Sequence, residues 1–131
     1  MIYGPQFVKP GHFRGVASQI DLPPTLLEAL GVKGSDQFFG RSLLDSAGNP
    51  GPPDRAFISN YQHLGLVRDG VLTILSPKRA VEAYQVDMST FSARPIEPNA
   101  SHVQEAIAYY QTASRAFKQG ALKADRTSLA K

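Results

Sequence analysis

Residues 18–31 read SQIDLPPTLLEALG and carry both the start and the stop signals of a short helix. Asp21 is placed to cap the first backbone amides, and two prolines fall in the first turn, where a missing N–H costs least. Leucines recur at helical spacing, and Gly31 occupies the position where a left-handed residue ends a helix. The stretch therefore predicts an amphipathic helix over about 21–30, whose apolar face needs another layer to cover it.

The composition sets outer limits on the class of protein. The chain has 131 residues and a formal net charge of +3, which allows one domain with a modest core. No apolar run approaches the roughly 20 residues of a membrane span. Cysteine is absent, which excludes a disulfide framework and a thiolate metal site. The small basic excess lies partly in the tail, so nucleic-acid binding is not expected.

In the second half of the chain the apolar period changes to two, as in strands. Asp69-Gly70 is the commonest sequence of a two-residue hairpin turn, and the runs 64–68 and 71–76 on either side predict its two strands. Further strands are expected at 56–61 and 81–86. The pattern indicates a meander of about four antiparallel strands.

A long helix is expected after the sheet, beyond a connector at 88–98. Asn99 or Ser101 can cap its start, and Gly120 ends it. In a sheet with one solvated face, such a helix covers the other face. The predicted apolar stripe consists of Val103, Ala106, Ile107, Tyr110, Ala113 and Phe117.

Several segments together resemble the sulfatase branch of the alkaline phosphatase superfamily. The segments SQIDLPPTLLEALGV (18–32) and FFGRSLL (38–44) are similar to the region after the metal site, most of all in the lipoteichoic acid synthase and phosphoglycerol transferase group. Residues 2–5, IYGP, resemble the end of a strand that precedes this region, and residues 55–87 resemble the C-terminal antiparallel subdomain. The resemblance covers roughly the whole chain, but only the last part of such an enzyme.

The resemblance implies an α/β fold, or α+β for this chain taken alone. An edge strand and helix of an alkaline-phosphatase-like core would be followed by the small antiparallel sheet and its covering helix. Residues 1–49 would end the α/β core, residues 50–120 would form the β subdomain with its helix, and residues 121–131 would be a disordered basic tail. The boundary falls at the proline-rich run NPGPPD, because proline removes a backbone donor and disfavours helix before it.

The superfamily's reaction uses a Ser, Thr or Cys nucleophile between metal ions that are held by Asp, His, Asn or Glu. In the group that this chain resembles, these residues lie upstream of the IYGP run. No Asp-His pair and no nucleophile motif occurs in the 131 residues. The resemblance therefore transfers no catalytic, cofactor-binding or metal-ligating residue. It implies Mn, Zn, Mg or Ca in the intact enzyme.

A few residues remain as candidates for contact with a ligand. His12, His63 and His102 lack the close spacing that is typical of metal sites. His12 is the substrate-contacting candidate, because its loop borders the active-site mouth in enzymes of the resembling group. Asp21 is better explained as a helix cap than as a ligand or base. The turn 76–79 can bind an anionic head group through its two cations, or it is simply a solvated turn.

Two functional classes stay open at this stage. The first is the structural C-terminal part of a metal-dependent sulfatase-like hydrolase or phosphoglycerol/phospho-group transferase, inactive without the N-terminal catalytic core that would be its partner. The intact enzyme would act on a phosphate or sulfate ester, anchored in the inner membrane with an extracytoplasmic catalytic domain. The second class is an independent non-catalytic α+β binding or accessory module. The chain opens inside a strand-like run, which favours the first class.

Overall fold

The computed structural model describes residues 6, 9–13, 15–32, 38–44, 55–90 and 92–122. Three predicted features lie outside these residues: the strand end at 2–5, the proline-rich break at 49–54 and the tail from 123 onward. The elements in chain order are helix α1 (Leu22–Ala29), strands β1 (Arg55–Ser59), β2 (Leu64–Arg68), β3 (Val71–Leu75), β4 (Val81–Asp87) and β5 (Ser92–Ile96), and helix α2 (Ala100–Lys118).

One antiparallel sheet in the order β1-β2-β3-β4-β5 forms the centre of the α+β fold. Each strand pairs with the next one along the chain, as in the predicted meander. The hairpin at Asp69-Gly70 is confirmed: the two residues have φ angles of 51° and 73°, and a type I′ turn requires positive φ at both positions. Local turn chemistry therefore sets the register of β2 against β3.

The structure adds a fifth strand, β5, within the stretch expected to be a connector. It pairs with β4, and all of its residues are exposed, including Pro95. An edge strand makes ladder hydrogen bonds on one side only, so it tolerates proline and needs no apolar alternation. β5 is therefore a strand without the sequence period that reveals β2 or β4.

Helix α2 covers one face of this sheet. Leu66, Thr73 and Ala83 lie opposite one another on β2, β3 and β4 and are buried. The helix contacts β2 and β3 and buries Ala106. Of the two predicted caps, Asn99 and Ser101, the helix uses Asn99, whose side-chain oxygen accepts a hydrogen bond from the Ser101 amide at 2.8 Å.

The packed side of α2 differs from the predicted stripe, in which Ile107 and Phe117 are exposed, at 39% and 77%. Tyr109 is half-buried, with its ring centroid 4.4 Å from that of Phe57 on β1. Tyr110, which the stripe placed toward the core, is 62% exposed. The apolar arc of α2 is wider than the area that the sheet covers, so periodicity alone cannot say which part of the arc is packed.

The second face of the sheet is apolar and partly open. Ile58 is exposed, and Leu72 lies over Gly65, where an added Cβ would come within 3.1 Å of Leu72 Cδ1. On β4 the same face carries Glu82 and Tyr84, whose hydroxyl donates to Glu82 Oε2 at 2.7 Å. The side chains of β4 alternate between the two faces, so Ala83 lies on the opposite, buried side.

Helix α1 forms where it was predicted and is followed by Gly31 at a φ of 65°. Its buried residues are Pro24 and Thr25, whereas its leucines are largely exposed. Neither α1 nor α2, the helices of the described residues, is long and apolar enough to cross a membrane. The layer that the leucines need is therefore not supplied by the described residues.

The hydroxyl of Thr73 allows a direct test of this core. Thr73 is completely buried, and Thr73 Oγ1 has no hydrogen-bond partner among the described residues. A buried unsatisfied polar group costs roughly 1–3 kcal/mol. We expect Thr73→Val, which keeps the shape, to raise the free energy of unfolding by about 1 kcal/mol in urea denaturation. Thr73→Ser keeps the hydroxyl and loses the methyl group, so it should lower stability; the opposite order would contradict the packing described.

Hydrogen bonds in the turn after β4 predict that the stability of the fold depends on pH. Asp87 Oδ1 accepts hydrogen bonds from the Ser89 hydroxyl at 2.6 Å and the Ser89 amide at 2.8 Å. These bonds, with weaker ones from Thr90, lower the pKa of Asp87 from 3.8 to about 2. Because the folded pKa lies below the unfolded one, this stabilisation is fully present above the unfolded value and is lost as the pH falls through about 2.

We expect an NMR titration of the Asp87 carboxyl carbon to have its midpoint near 2, and Ser89→Ala to move it toward 3.8. The same midpoint in both proteins would show that the Ser89 hydroxyl does not stabilise the ionised carboxylate.

Candidate functional site

A buried ion pair connects the start of α1 to the first residue of β1. The side chains of Asp21 and Arg55 are 1% and 3% exposed, and Arg55 Nη1 lies 3.2 Å from Asp21 Oδ1. Removing two charges from water costs several kcal/mol per ion unless both charges are paired and their remaining hydrogen-bonding groups are satisfied. The surroundings of both side chains meet this requirement.

The Asp21 carboxylate is surrounded by donors. Oδ2 accepts from the Ser18 amide at 2.8 Å, and Oδ1 accepts from the Arg41 amide at 3.0 Å. Ser18 Oγ in turn accepts from the amide of Phe57 on β1. The prediction that Asp21 caps α1 is wrong in its detail, because the carboxylate is bonded to Ser18, Arg41 and Arg55 and makes no capping hydrogen bond to α1. Its bond to the Ser18 amide is instead one half of a capping box at the short 3-10 turn Gln19–Asp21, whose N-cap is Ser18. With these partners Asp21 is not a free ligand or base.

The Arg55 guanidinium contacts three separate parts of the chain. Besides Asp21, it donates through Nε to the Tyr109 hydroxyl at 3.1 Å and through Nη2 to the Phe39 carbonyl at 3.3 Å. It also lies 5.2 Å from the ring centre of Phe57 and 5.3 Å from that of Tyr109, within cation–π range. Arg55 therefore joins α1, the 38–44 segment, β1 and α2.

Sequence reasoning missed this role of Arg55. The available signal was a single cation at the head of the apolar strand RAFIS. A cation in that position is either exposed at a strand end or paired inside. The sequence alone does not show that Asp21 lies opposite.

The 38–44 segment wraps over the start of α1. Thr25 Oγ1 donates to the Asp21 carbonyl at 2.6 Å and accepts from the Leu43 amide at 3.0 Å. A Cβ added to Gly40 would lie 1.7 Å from the Ile20 carbonyl oxygen, so only glycine fits there. The two segments that carry the family resemblance, 18–32 and 38–44, thus form one hydrogen-bonded unit.

His12, the predicted substrate contact, is exposed in a stretch without regular secondary structure. It makes no hydrogen bond or ion pair with any other residue that the structure describes. No contact in the described part of the chain tests the role of His12 as a substrate contact, which stays a prediction.

The other two histidines occupy different ends of the sheet. His63 Nδ1 lies 2.7 Å from Ser76 Oγ, which joins the turn 60–63 to the turn 76–80. His102, at the start of α2, lies with Nε2 3.7 Å from Asp69 Oδ2 at the opposite end. Within the described ranges, no three His, Cys, Asp or Glu side chains are grouped to hold a metal ion.

Comparison with known proteins bears on the class of protein. No protein-family model matches the chain. The chain is similar to the crystal structure of a protein in the alkaline phosphatase superfamily from Vibrio parahaemolyticus, at 27% sequence identity and a TM-score of 0.65. The match covers 76% of this chain and 24% of that one, so this chain spans about a quarter of its length. The similarity supports the alkaline phosphatase superfamily and, with it, a sulfatase-like or phosphoesterase-related origin.

The buried ion pair predicts strong coupling between two distant residues. Asp21→Asn and Arg55→Met should each lower the free energy of unfolding by roughly 3–5 kcal/mol, because each leaves a buried partner unpaired. The loss in the free energy of unfolding should be clearly smaller in the double variant than the sum of the two single losses. Thermal or urea denaturation in a double-mutant cycle measures this difference.

Arg68 provides the matched control for this cycle. Its guanidinium lies 2.7 Å from Glu105 Oε2, but this pair is partly exposed, at 37% and 23%. Arg68→Met should therefore cost at most about 1 kcal/mol. Additive losses at Asp21 and Arg55, or losses no greater than at Arg68, would contradict the role assigned to the buried pair.

Proposed function

We propose that this chain is the structural C-terminal part of a metal-dependent enzyme of the alkaline phosphatase superfamily. The enzyme would be a sulfatase-like hydrolase or a phosphoglycerol or related phospho-group transferase, as in the lipoteichoic acid synthase group. The observation that carries the proposal is the open leucine face of α1. Leu22, Leu26 and Leu30 are 45%, 40% and 58% exposed on a helix whose other side is firmly attached.

The leucine face is presented in a fixed orientation. Thr25 and Asp21 attach the opposite side of the helix to the 38–44 segment and to Arg55. Covering the apolar stripe of an amphipathic helix adds stability, and each leucine that becomes buried contributes roughly 1.5–3 kcal/mol. Exposed Ile20, Val32 and Phe38 lie close in sequence to the leucines. The helix therefore has the properties of one layer of a larger α/β core.

The similarity to the Vibrio parahaemolyticus protein supports the proposal that an alkaline-phosphatase-like core covers the leucine face. Three quarters of its chain lies outside the match. In the proposal, an equivalent upstream region forms the missing N-terminal core and supplies the nucleophile and the ligands of Mn, Zn, Mg or Ca. The intact enzyme would be anchored in the inner membrane with this catalytic domain outside the cytoplasm.

The contribution of the present chain is then positional. The Asp21–Arg55 pair attaches the antiparallel sheet to the helix that packs on the core, and so holds the sheet beside the active-site cleft. His12 precedes this helix and is exposed, which suits a contact with the phosphate or sulfate ester substrate. The chain itself has no assigned part in bond breaking.

The alternative is an independent, non-catalytic α+β binding or accessory module. The closed hydrogen-bond network around Arg55 favours it, because that network links α1 to the sheet without any further partner. The two proposals differ in whether the leucine face is covered in the working protein.

A chimera distinguishes the two proposals. In the Vibrio parahaemolyticus protein, the matching quarter is replaced by this chain, with and without Leu26→Glu and Leu30→Glu. We expect the glutamates to prevent folding of the chimera, since they place two charges in an apolar interface. In the isolated chain they should change the free energy of unfolding by no more than about 0.5 kcal/mol, because the leucines are already exposed.

Lys9→Glu, an exposed position ahead of the helix, serves as the control and should be tolerated in both proteins. A chimera that accepts both glutamates without loss of folding would favour the independent module. Hydrolysis of a phosphate or sulfate ester by the isolated chain, abolished by a chelator, would overturn the proposed structural role.

A further inference from the structure

Two turns at one end of the sheet form a polar surface that the proposed function does not use. The pairing of Leu64 with Leu75 places the turn 60–63 beside the turn 76–80. We call these two turns the basic end. They contain Lys78, Arg79 and His63, and they contain no acidic residue.

Lys78 and Arg79 have an unusual backbone conformation. Their φ angles are 59° and 64°, in the left-handed region. This region costs an L-residue on the order of 1–2 kcal/mol, and glycine or asparagine adopts it at much lower cost. The Ala80 amide donates to the Pro77 carbonyl at 3.3 Å, so Lys78 and Arg79 are the two central residues of the turn between β3 and β4. Both have the positive φ that a type I′ turn requires, as Asp69 and Gly70 do between β2 and β3, but this turn contains no glycine. The turn geometry explains the φ angles, whereas the use of Lys-Arg in place of the preferred Asn-Gly costs stability and points to a role for the two side chains.

The basic end is also held in place by specific hydrogen bonds. His63 Nδ1 and Ser76 Oγ lie 2.7 Å apart and join the two turns. Asn60 Oδ1 accepts from the His63 amide at 2.9 Å, and the Ser76 amide donates to the Ala80 carbonyl at 2.9 Å. The turn that carries the cations is therefore fixed from both sides.

Both cationic side chains are free to bind a ligand. Lys78 and Arg79 are exposed, and neither has a hydrogen-bond or ion-pair partner in the described part of the chain. The opposite end of the sheet differs: Asp69 and Asp87 lie in its turns, and Arg68 there is paired with Glu105. The turns at the basic end therefore carry cationic side chains, whereas the turns at the other end carry acidic ones.

We propose that the basic end is a binding site for a phosphate group, carried by a free phosphate ester or by a lipid head group. The planar guanidinium of Arg79 can donate two parallel hydrogen bonds to a tetrahedral oxyanion, and the ammonium of Lys78 adds a point charge. His63 contributes the ring nitrogen that does not face Ser76. The site rests on these residues and holds whether or not the chain belongs to a larger enzyme.

The first test is a titration of the 131-residue chain with inorganic phosphate, followed by amide NMR at constant ionic strength. We expect saturable shifts confined to residues 60–63 and 76–80. Lys78→Asn combined with Arg79→Gly should weaken binding at least tenfold. The same variant should unfold at a higher urea concentration, since asparagine and glycine relieve the left-handed strain.

The matched control is Arg115→Gln combined with Lys118→Gln, which removes the same two charges from exposed positions in the last turn of α2. This variant should bind phosphate as well as the parent chain does. Equal weakening by both variants would show attraction by net charge alone and would overturn the site. Unchanged binding by the Lys78/Arg79 variant would overturn it as well.

The second test identifies the source of the phosphate group. The chain is sedimented with vesicles of phosphatidylglycerol or of phosphatidylcholine. Binding to phosphatidylglycerol that is lost only in the Lys78/Arg79 variant supports a lipid head group, whereas binding of inorganic phosphate without vesicle binding supports a free ester. Binding to neither probe would overturn the proposal. The chimera experiment does not involve Lys78 or Arg79, so the two proposals fail independently.

Discussion

The charge of Asp21 and the charge of Arg55 can be buried only because each neutralises the other. An unpaired ion in that position would cost several kcal/mol. The start of α1 and the start of β1 can therefore pack together only in the arrangement that pairs these two charges. The partners of the pair, Ser18, the Arg41 amide, the Phe39 carbonyl and Tyr109, come from segments that are far apart in the chain. One ion pair therefore holds the α1 unit, the sheet and α2 together.

This arrangement explains why the leucines of α1 face outward. The side of the helix that contacts the rest of the described chain carries Pro24 and Thr25, and the polar contacts of Thr25 and Asp21 occupy it. The apolar side then points away from the sheet. A helix that is anchored through its polar side and open on its apolar side is suited to lie between two layers. In the alkaline phosphatase superfamily, which the similarity to the Vibrio parahaemolyticus protein supports, the second layer would be the α/β core.

The elements with strong local signals were predictable. The Asp69-Gly70 hairpin, the cap at Asn99 and the end of α1 at Gly31 each depend on one or two residues whose backbone preferences leave few alternatives. β5 was not predictable as a strand, because an exposed edge strand has no apolar period and even contains Pro95. On α2 the apolar arc was visible, but the choice of Tyr109 over Tyr110 for the core depends on Arg55 and Phe57, which lie on another element.

The candidate site follows the same division. Residue types and turn chemistry alone indicate where helices, hairpins and cations lie, since those preferences act within a few neighbouring residues. The partners of Asp21 and His63, by contrast, depend on contacts between distant residues. Arg55 lies 34 positions from Asp21, and Ser76 lies 13 positions from His63. Such contacts form only when the sheet brings distant segments together, because burial and pairing of charge are properties of the assembled interior. Local sequence therefore predicted every helix and strand except β5, and three-dimensional packing assigned the partners.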